Sequence, residues 1–561
     1  MAKSIRFISL FLIIVIFTQG CSPNGFQSTI GNNVQSTPLS PTIPSISPTE
    51  SSTSLSPTLV GSSILSNQSL WISDAVPAEL KEIVQESGIN VTYNHDLATI
   101  HLDIGSDQQP QPVLNTSWIY AFVAPFSTLI DDITISQLNQ AWTGDPSSSL
   151  YGATIWMEES TRSAFKSIWG SPGLDAQIKT EEADKLLESA WGNQPSFAII
   201  PFEEIEPRWK VLAIDGQSPL HKDFDPSSYS LKLTFVLTGD EADLIAQDLP
   251  TGNLDPEKMT VLVMTGVTAL VRATAEKMEV KGRTFPGEAI RDWLVNADLT
   301  HISNEVPFAQ NCPYPDPSSP YLFFCSDPRN IELLDYIGTD IIELTGNHFQ
   351  DWGSEATLFT IDLYNKRGWP YFGGGINALD ARKSIKIENH GNKIAFIGCN
   401  PSGPAYAWAT ETEPGAARCD MNWMTEELGR LQAEGFNPIA TFQYYEGYSA
   451  WPGPDQTRDF RMMADAGAVI VSGSQAHFPM TMEFYNGSFI HYGLGNLFFD
   501  QMDHPVVGTR REFIDRYVFY NGKYINTELL TALLEDYARP RPMTAEERTV
   551  FLSNIFIASG W

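Results

Sequence analysis

Residues 338–353 read GTDIIELTGNHFQDWG, and this stretch decides the predicted fold. The apolar run 341–344 leads to Asn347 and His348, and a helical pattern begins near Glu355. A strand that turns into a helix places an amide and an imidazole at the carboxyl end of a sheet, where open α/β folds bind ligands. Asn also favours helix N-termini. The pair is therefore either a ligand pair or a helix cap.

The same pattern recurs over residues 258–510, where apolar runs that predict buried strands end in polar clusters. These clusters lie at 265–267, 303–305, 347–348, 443–446, 472–477 and 491–500. Because the carboxyl ends of parallel strands meet at one edge of a sheet, we expect these side chains to form one site.

In this order the residues resemble the CapA family of poly-γ-glutamate capsule-synthesis proteins. The resemblance rests on an Asn-His…Asp-x-Gly block at 347–353, a Gly-x-Asn at 375–377 and the block HYGLGNLFFD at 491–500. The family has a calcineurin-like metallophosphatase fold, so residues 258–510 are expected to form an α/β domain of the four-layer α/β/β/α type. The resemblance also implies a role in capsule or poly-γ-glutamate biosynthesis or export.

The resemblance further implies a metal-dependent site. It assigns the metal-binding positions to Glu305, Asn347, His348 and His477. It places catalysis at His348, which would protonate the leaving group, and at Asp351, which either orients His348 or caps the next helix. The implied ligand contacts are Asn304, Gln443, Glu446, Gln475, Asn496 and Arg272. The implied cofactor is a divalent metal such as manganese or magnesium, and the implied reaction is hydrolysis of a phosphoester or a polymer bond.

Several metal ligands of that family are replaced in this chain. Val267 stands where the first strand of the family ends in Asp, and Gln443 stands where the family has His. A two-metal centre needs several charged or imidazole ligands, whereas amide oxygens suit hard cations. We therefore expect weak binding of one metal at most. The alternative is a degenerate site that binds a ligand without chemistry. Residues Tyr444, Tyr445, Tyr448 and Trp451 line either a sugar or polymer cleft or the core.

Residues 67–250 alternate helical and strand patterns, which predicts an α/β domain with a largely parallel sheet. Phrases at 132–144, 159–165, 197–202 and 212–219 resemble phosphate-type periplasmic solute-binding proteins. That family binds its anion through a Ser-Gly-Thr-Arg element. Here the element reads Glu-Ser160-Thr161-Arg162, which lacks the glycine and adds a negative charge. Solute binding through these three residues and a structural remnant of the fold both stay open.

The first residues, 1–21, have a basic start, a short apolar run and a small residue before Cys21, which indicates an export signal. The placement of Cys21 resembles a bacterial lipobox and implies a lipid-anchored protein at the cell surface. A plain cleaved signal and an uncleaved anchor are the alternatives. Residues 22–66 are rich in Ser, Thr and Pro, which predicts a disordered linker.

The formal charge of −32 over 561 residues argues against nucleic-acid binding, which needs basic patches. The expected partners are an anionic polymer or a phosphorylated envelope substrate, together with a membrane through the lipid anchor. Four cysteines remain besides Cys21. An even number outside the cytoplasm indicates disulfides, and we expect the local pairs Cys312–Cys325 and Cys399–Cys419.

Residues 511–561 predict a hairpin around Asn521-Gly522 and a closing helix from about Thr544. Three functional classes stay open for the whole chain. They are a metal-dependent hydrolase, a non-enzymatic polymer-binding or anchoring lipoprotein, and a solute receptor that acts through the first domain.

Overall fold

A computed structural model describes residues 68–105, 112–247 and 249–561. The predicted signal, Cys21 and the predicted linker lie outside the described residues. Within the described ranges, no helix combines the length and the apolar character needed to cross a membrane.

The first folded region is built on a ten-stranded sheet. Its strands are β1 (Ser69–Ile72), β2 (Asn90–Val91), β3 (Ile100–Ile104), β4 (Leu114–Pro125), β5 (Asp132–Ile133), β6 (Thr154–Met157), β7 (Ile178–Thr180), β8 (Ser196–Pro201), β9 (Trp209–Ile214) and β10 (Lys232–Gly239). Its helices are α1 (Ala78–Glu86), α2 (Ile135–Thr143), α3 (Glu159–Trp169), α4 (Ala183–Trp191) and α5 (Asp243–Ala246).

The strand order of this sheet is β2-β1-β3-β10-β4-β8-β6-β7, with β9 on β4 and β5 on β9. Strand β6 pairs in parallel with β7 and β8, but the long strands β4 and β10 are antiparallel to all their neighbours. The predicted α/β class is confirmed. The prediction of a largely parallel sheet is only partly right, because five strand pairs are parallel, including β1 with β2 and β3 and β5 with β9, and four are antiparallel. A buried apolar run does not encode the direction of its neighbours, so the pattern alone did not reveal the mixed sheet.

The second folded region contains two large sheets and a two-stranded ribbon. Its strands are β11 (Met259–Thr265), β12 (Val267–Thr268), β13 (Leu299–Asn304), β14 (Ile341–Glu343), β15 (Tyr371–Phe372), β16 (Gly374–Gly375), β17 (Ile385–Asn389), β18 (Asn392–Cys399), β19 (Gly415–Ala416), β20 (Asn437–Gln443), β21 (Ile470–Ser474), β22 (Met482–Tyr485), β23 (Ser488–His491), β24 (Asn496–Phe498), β25 (Arg511–Tyr520), β26 (Lys523–Glu535) and β27 (Arg539–Pro542). Its helices are α6 (Arg272–Lys281), α7 (Arg291–Val295), α8 (Ile331–Tyr336), α9 (Gly353–Asn365), α10 (Ala378–Ala381), α11 (Met421–Ala433), α12 (Pro454–Asp465) and α13 (Ala545–Ala558).

The two large sheets pack face to face with helices on both outer faces. The nine-stranded sheet follows the order β15-β14-β13-β11-β25-β26-β27, with β12 on β13 and β24 on β12, and the six-stranded sheet follows β17-β18-β20-β21-β23-β22. Leu262 and Phe513 of the first sheet share one core with Phe396 and Ile439 of the second. Helices α6, α8 and α9 cover the outer face of the first sheet, and α11 and α12 cover the second. The predicted four-layer arrangement is confirmed.

The predicted C-terminal hairpin is present as β25 and β26. Its turn residues Asn521 and Gly522 have φ of +49° and +83°, as a tight hairpin turn requires. Strand β25 pairs with β11, so the hairpin belongs to the nine-stranded sheet. The closing helix α13 begins after Thr544, whose side chain forms a capping box with Glu547.

Parallel strands in both sheets bring their carboxyl ends to the region where the predicted polar clusters begin. These strands are β11, β13 and β14 in one sheet and β18, β20 and β21 in the other. Both predicted disulfides are also present, Cys312–Cys325 in the segment after β13 and Cys399–Cys419 after β18. The fold therefore places the candidate site where two sheet edges meet.

Candidate functional site

An oxygen-rich group of side chains lies at the carboxyl ends of the strands. Glu305 follows β13, Asn347 follows β14, Gln443 ends β20 and Gln475 follows β21. The Nε2 atom of Gln443 is 3.4 Å from Glu305 Oε1 and 3.3 Å from Asn347 Oδ1, and it also donates a hydrogen bond to Gln475 Oε1. Four predicted site residues from both sheets therefore meet at one amide nitrogen.

Glu305 is 2% exposed, and none of the described residues is a hydrogen-bond partner of its Oε2 atom. Burial of an unpaired carboxylate oxygen is costly. Gly346 packs against the same residue, since a Cβ atom there would lie 2.6 Å from the Glu305 carbonyl oxygen. This close approach explains why glycine precedes Asn347 in this chain.

His348 and Asp351 form a buried dyad. The His348 Nδ1 atom is 2.6 Å from Asp351 Oδ2, and Asp351 also accepts hydrogen bonds from the backbone N–H of Phe324 at 2.8 Å and from the hydroxyl of Tyr406 at 3.0 Å. Burial opposes the charged imidazole. The Asp351 hydrogen bond and the nearby Glu305 charge outweigh burial and raise the pKa of His348 above its ordinary value. His348 is thus oriented as a proton donor or an anion contact.

The helix-cap interpretation of this stretch is wrong. Helix α9 begins at Gly353, and its N-cap is Trp352, whose side chain makes no capping hydrogen bond. Asn347 and His348 precede the helix by several residues and face the site. Asp351 orients His348 rather than capping the helix.

His477 is oriented by a second hydrogen bond of the same kind. Its Nδ1 atom is 2.8 Å from Asn496 Oδ1, and Asn496 Nδ2 donates to the Thr509 carbonyl at 3.1 Å. A neutral His477 in this arrangement carries its proton on Nδ1 and presents the lone pair of Nε2. Gln475 and His477 have φ of +79° and +51°, a strained backbone that often marks functional sites. Asn496 therefore positions His477 and does more than shape a turn.

The donor set differs from the two-metal centre that the resemblance implies. In the part of the chain that the structure describes, no three His, Cys, Asp or Glu side chains lie close enough to share a metal ion. Val267 is buried without a donor atom, and the Gln443 amide nitrogen, itself a donor, lies among the oxygens. The residues present do not fit a two-metal centre. A single metal at Glu305, Asn347, His348 and His477 stays a prediction.

Arg272 lies beside the two imidazoles with its charge already neutralised. Its Nε is 3.1 Å from Asp500 Oδ2, and its Nη2 donates to Asp500 Oδ1. The guanidinium lies over the rings of Phe499 and Phe324, at 5.3 and 5.7 Å. These rings in turn contact His477 and His348, with centroids 5.1 and 4.7 Å apart. An aromatic layer therefore links Arg272 to both imidazoles.

Two predicted ligand contacts lie apart from the group around Gln443. The amide nitrogen of Asn304 donates to the Val306 carbonyl and to the hydroxyl of Tyr364, so this side chain serves packing against α9. Glu446 is exposed and accepts a hydrogen bond from Tyr448. Tyr444 is buried, so it belongs to the core and not to an open cleft.

The predicted solute contacts lie at the start of α3 in the first domain. Arg162 is paired with Glu159 at 2.6 Å, Ser160 donates to Glu158 at 3.4 Å, and Thr161 is fully buried. The nearby Glu203 and Glu204 are acidic neighbours; burial, more than charge, raises their pKa to about 7 and about 8. Arg162 is already paired with Glu159, which disfavours an anion at this position. Solute binding here stays a prediction.

Sequence reasoning missed Phe324 and Tyr406, which contact the His348–Asp351 dyad. Phe324 directly precedes Cys325, so the predicted Cys312–Cys325 disulfide was a signal that the loop with Phe324 is tied down close to the end of a strand. No motif marks Tyr406, which reaches the dyad only through the tertiary fold.

Comparison with known proteins places the similarity in the second region. Residues 261–501 match a family model described as bacterial capsule synthesis protein PGA_cap. The chain is 23% identical over 257 residues to a capsule biosynthesis protein CapA of Bacillus anthracis, which covers 45% of this chain and 62% of that protein. It is 27% identical over 178 residues to a PGA biosynthesis protein CapA of Bacillus subtilis (strain 168), which covers 31% of this chain and 47% of that protein. The chain thus spans about half to three fifths of these relatives.

Solved structures match more distantly. An ABC-type phosphate transport receptor from Vibrio cholerae has 14% identity and a TM-score of 0.27, over 32% of this chain and 91% of that one. A 5'-nucleotidase precursor from Thermus thermophilus has 14% identity and a TM-score of 0.32, over 54% of this chain and 59% of that one. Scores at this level support no conclusion about ligands.

Proposed function

We propose, from the premise that residues 261–501 form a domain of the CapA family, that this protein takes part in the biosynthesis or export of a capsule polymer such as poly-γ-glutamate. We further propose that it acts by holding the polymer and hydrolyses it weakly or not at all.

The arrangement around Gln443 carries the second part of the proposal. The Gln443 amide nitrogen takes a central position among the oxygens of Glu305, Asn347 and Gln475. A catalytic metal centre needs cations among such oxygens to lower the pKa of a water molecule. In this site the oxygens of Glu305, Asn347 and Gln475 are hydrogen-bonded to the Gln443 amide. The His348–Asp351 dyad remains oriented and suits contact with a polar group of a bound chain.

The proposed location is the outer surface of the cell. The motif at Cys21 supports a lipid anchor, and the strongly acidic chain suits a solvated extracytoplasmic surface. Deletion of the gene should lower the amount of cell-bound capsule polymer. A Cys21→Ala variant should restore it less well than the wild type, although protein levels are equal. Unchanged polymer after deletion would contradict the proposed role.

Metal content and hydrolysis test the state of the site. The purified full chain should contain less than one divalent metal per molecule and should turn over p-nitrophenyl phosphate slowly in added manganese. His348→Ala should leave this low rate unchanged, as should the matched surface variant Asp362→Asn, whose carboxylate pairs only with Lys366. Rapid turnover that His348→Ala abolishes would show an active hydrolase.

A further inference from the structure

An aromatic groove with a volume of about 650 Å³ lies beside the candidate site. Its rings are Tyr314, Tyr321, Phe323, Phe324 and Trp352, and these five residues define the aromatic groove below. The volume falls within the range of ligand pockets in proteins. Arg272 is the predicted ligand contact in the lining of the groove, and the Gln443 group lies outside that lining.

Three of the rings are largely open to solvent. Tyr314, Tyr321 and Phe323 are 67%, 74% and 59% exposed. Tyr406, 46% exposed, stacks on Phe323 with ring centroids 6.1 Å apart. Scattered apolar residues on a surface are ordinary, but several large rings around one concave region mark a binding groove.

The chain holds these rings in place. The Cys312–Cys325 disulfide closes the loop that carries them, and the backbone of Phe324 donates to Asp351 at its end. Trp352 Nε1 donates to Asn311 Oδ1 at 2.9 Å, next to Cys312. The two ends of the loop and Trp352 are therefore anchored, and anchoring of this kind reduces the entropy cost of binding.

The polar groups that line the groove can donate and accept hydrogen bonds, but the positive charges among them are paired with carboxylates. Arg329 pairs with Asp327 and Glu279, and Arg272 pairs with Asp500. Asp316, Ser319 and Asn330 complete the lining. A pyranose ring has an apolar C–H face, which packs on an aromatic ring, and hydroxyl groups, which exchange hydrogen bonds with carboxylates and amides. Rings and polar groups of both kinds line this groove.

We propose that the aromatic groove binds a chain of neutral sugars. This inference goes beyond the proposed function, because it assigns a second class of ligand to a groove outside the Gln443 group. An acidic polymer fits less well, since the arginines of the groove are already paired and the whole chain has a formal charge of −32.

The groove leads towards the oriented dyad. Tyr406 donates its hydroxyl hydrogen to Asp351, and the Phe324 ring lies 4.7 Å from the His348 ring. A sugar chain in the groove would therefore end beside His348. This position joins the groove to the Gln443 group as one extended surface.

Isothermal titration calorimetry of the full chain with neutral oligosaccharides tests the proposal. The probes are oligomers of glucose with β-1,4 and α-1,4 linkages and of N-acetylglucosamine, each at millimolar concentration, with poly-γ-glutamate as the acidic comparator. We expect at least one neutral probe to bind and poly-γ-glutamate not to compete for its site. The double variant Tyr321→Ala with Phe323→Ala should weaken binding about tenfold or more, because two stacking rings are lost.

A matched double variant controls for the loss of exposed rings in general. Tyr93→Ala with Tyr151→Ala removes rings that are 99% and 54% exposed outside the groove, and it should leave binding unchanged. Absence of heat with every neutral probe, or displacement of the bound oligosaccharide by poly-γ-glutamate, would overturn the proposal. The proposal would also be overturned if the chain self-associated and only the groove double variant abolished this self-association, because a second copy of the chain would then occupy the groove. These measurements need neither hydrolysis nor capsule formation, so their failure is separable from failure of the proposed function.

Discussion

The Nε2 atom of Gln443 lies 3.4 Å from the Oε1 atom of Glu305, and both side chains are buried. An amide nitrogen therefore satisfies one carboxylate oxygen, while the other oxygen of Glu305 has no partner among the described residues. Hydrogen bonds to one amide connect strands of the two sheets at this point.

The first prediction concerns the charge of Glu305. Glu305→Gln should leave the melting temperature unchanged or raise it slightly, because the variant removes a buried negative charge that has little compensation. Thermal unfolding followed by circular dichroism measures the change.

Glu343→Gln is the matched control for this substitution. Glu343 is equally buried but pairs with His301 at 3.2 Å and accepts from Thr345 at 2.6 Å. Removal of one partner of such a pair should cost about 3–5 kcal/mol. The idea of a metal-poor site would be contradicted if Glu305→Gln clearly lowered the melting temperature and if added metal ions raised the melting temperature of the wild type but not that of the variant.

The second prediction concerns the dyad. Asp351→Asn should lower the pKa of His348, because the hydrogen bond and charge of Asp351 raise that pKa in the wild type. Nuclear magnetic resonance titration of the imidazole measures the shift. Asp362→Asn, an exposed carboxylate on helix α9, should leave the His348 titration unchanged. Equal titration in both variants would show that Asp351 does not control the imidazole.

The third prediction concerns the loop that carries the aromatic groove. Replacement of Cys312 and Cys325 by Ser should lower the free energy of unfolding by about 3 kcal/mol, since the disulfide closes a loop of 13 residues in sequence separation. Urea unfolding measures the loss. The same variant should weaken oligosaccharide binding, because the rings lose their fixed positions. Unaltered binding would mean that the loop is held by its hydrogen bonds alone.

The fourth prediction concerns pH and the first domain. The pKa values of Glu203 and Glu204 in the folded protein are raised to about 7 and about 8, chiefly by burial. A carboxyl with a raised pKa holds its proton in the folded state after the unfolded state has lost its own, so stability falls as pH rises. The melting temperature should therefore decrease between about pH 5 and pH 8.

Glu204→Gln isolates this effect. The variant should be more stable than the wild type at pH 8 and nearly equal to it at pH 5. The exposed residue Glu82, changed to Gln, provides the control and should follow the wild-type pH dependence. If the melting temperature of Glu204→Gln fell between pH 5 and pH 8 as much as that of the wild type, other groups would cause the pH dependence.

The family resemblance that the strand-end motifs carry implied the four-layer fold of the second region. Each motif is local, and the apolar runs before 303–305, 347–348 and 443–446 are buried strands in the structure. The same patterns did not reveal that β4 and β10 are antiparallel to their neighbours, because strand direction depends on pairing between distant residues. The disulfide pairs were predicted from number and proximity, and the structure confirms them.

The sequence by itself determined which residues end the strands, and so it predicted that the strand-end side chains form one site. Through the family resemblance, the residues at positions 267 and 443 also predicted that a two-metal centre would lack ligands. Only the tertiary structure decided that the Gln443 amide stands among the oxygens, that Asp351 orients His348, and that Phe324 and Tyr406 contact the dyad. The physical reason is the separation in sequence of the residues involved. Strand ends follow from local periodicity, whereas hydrogen-bond partners and exposed surfaces depend on contacts between residues far apart in the chain.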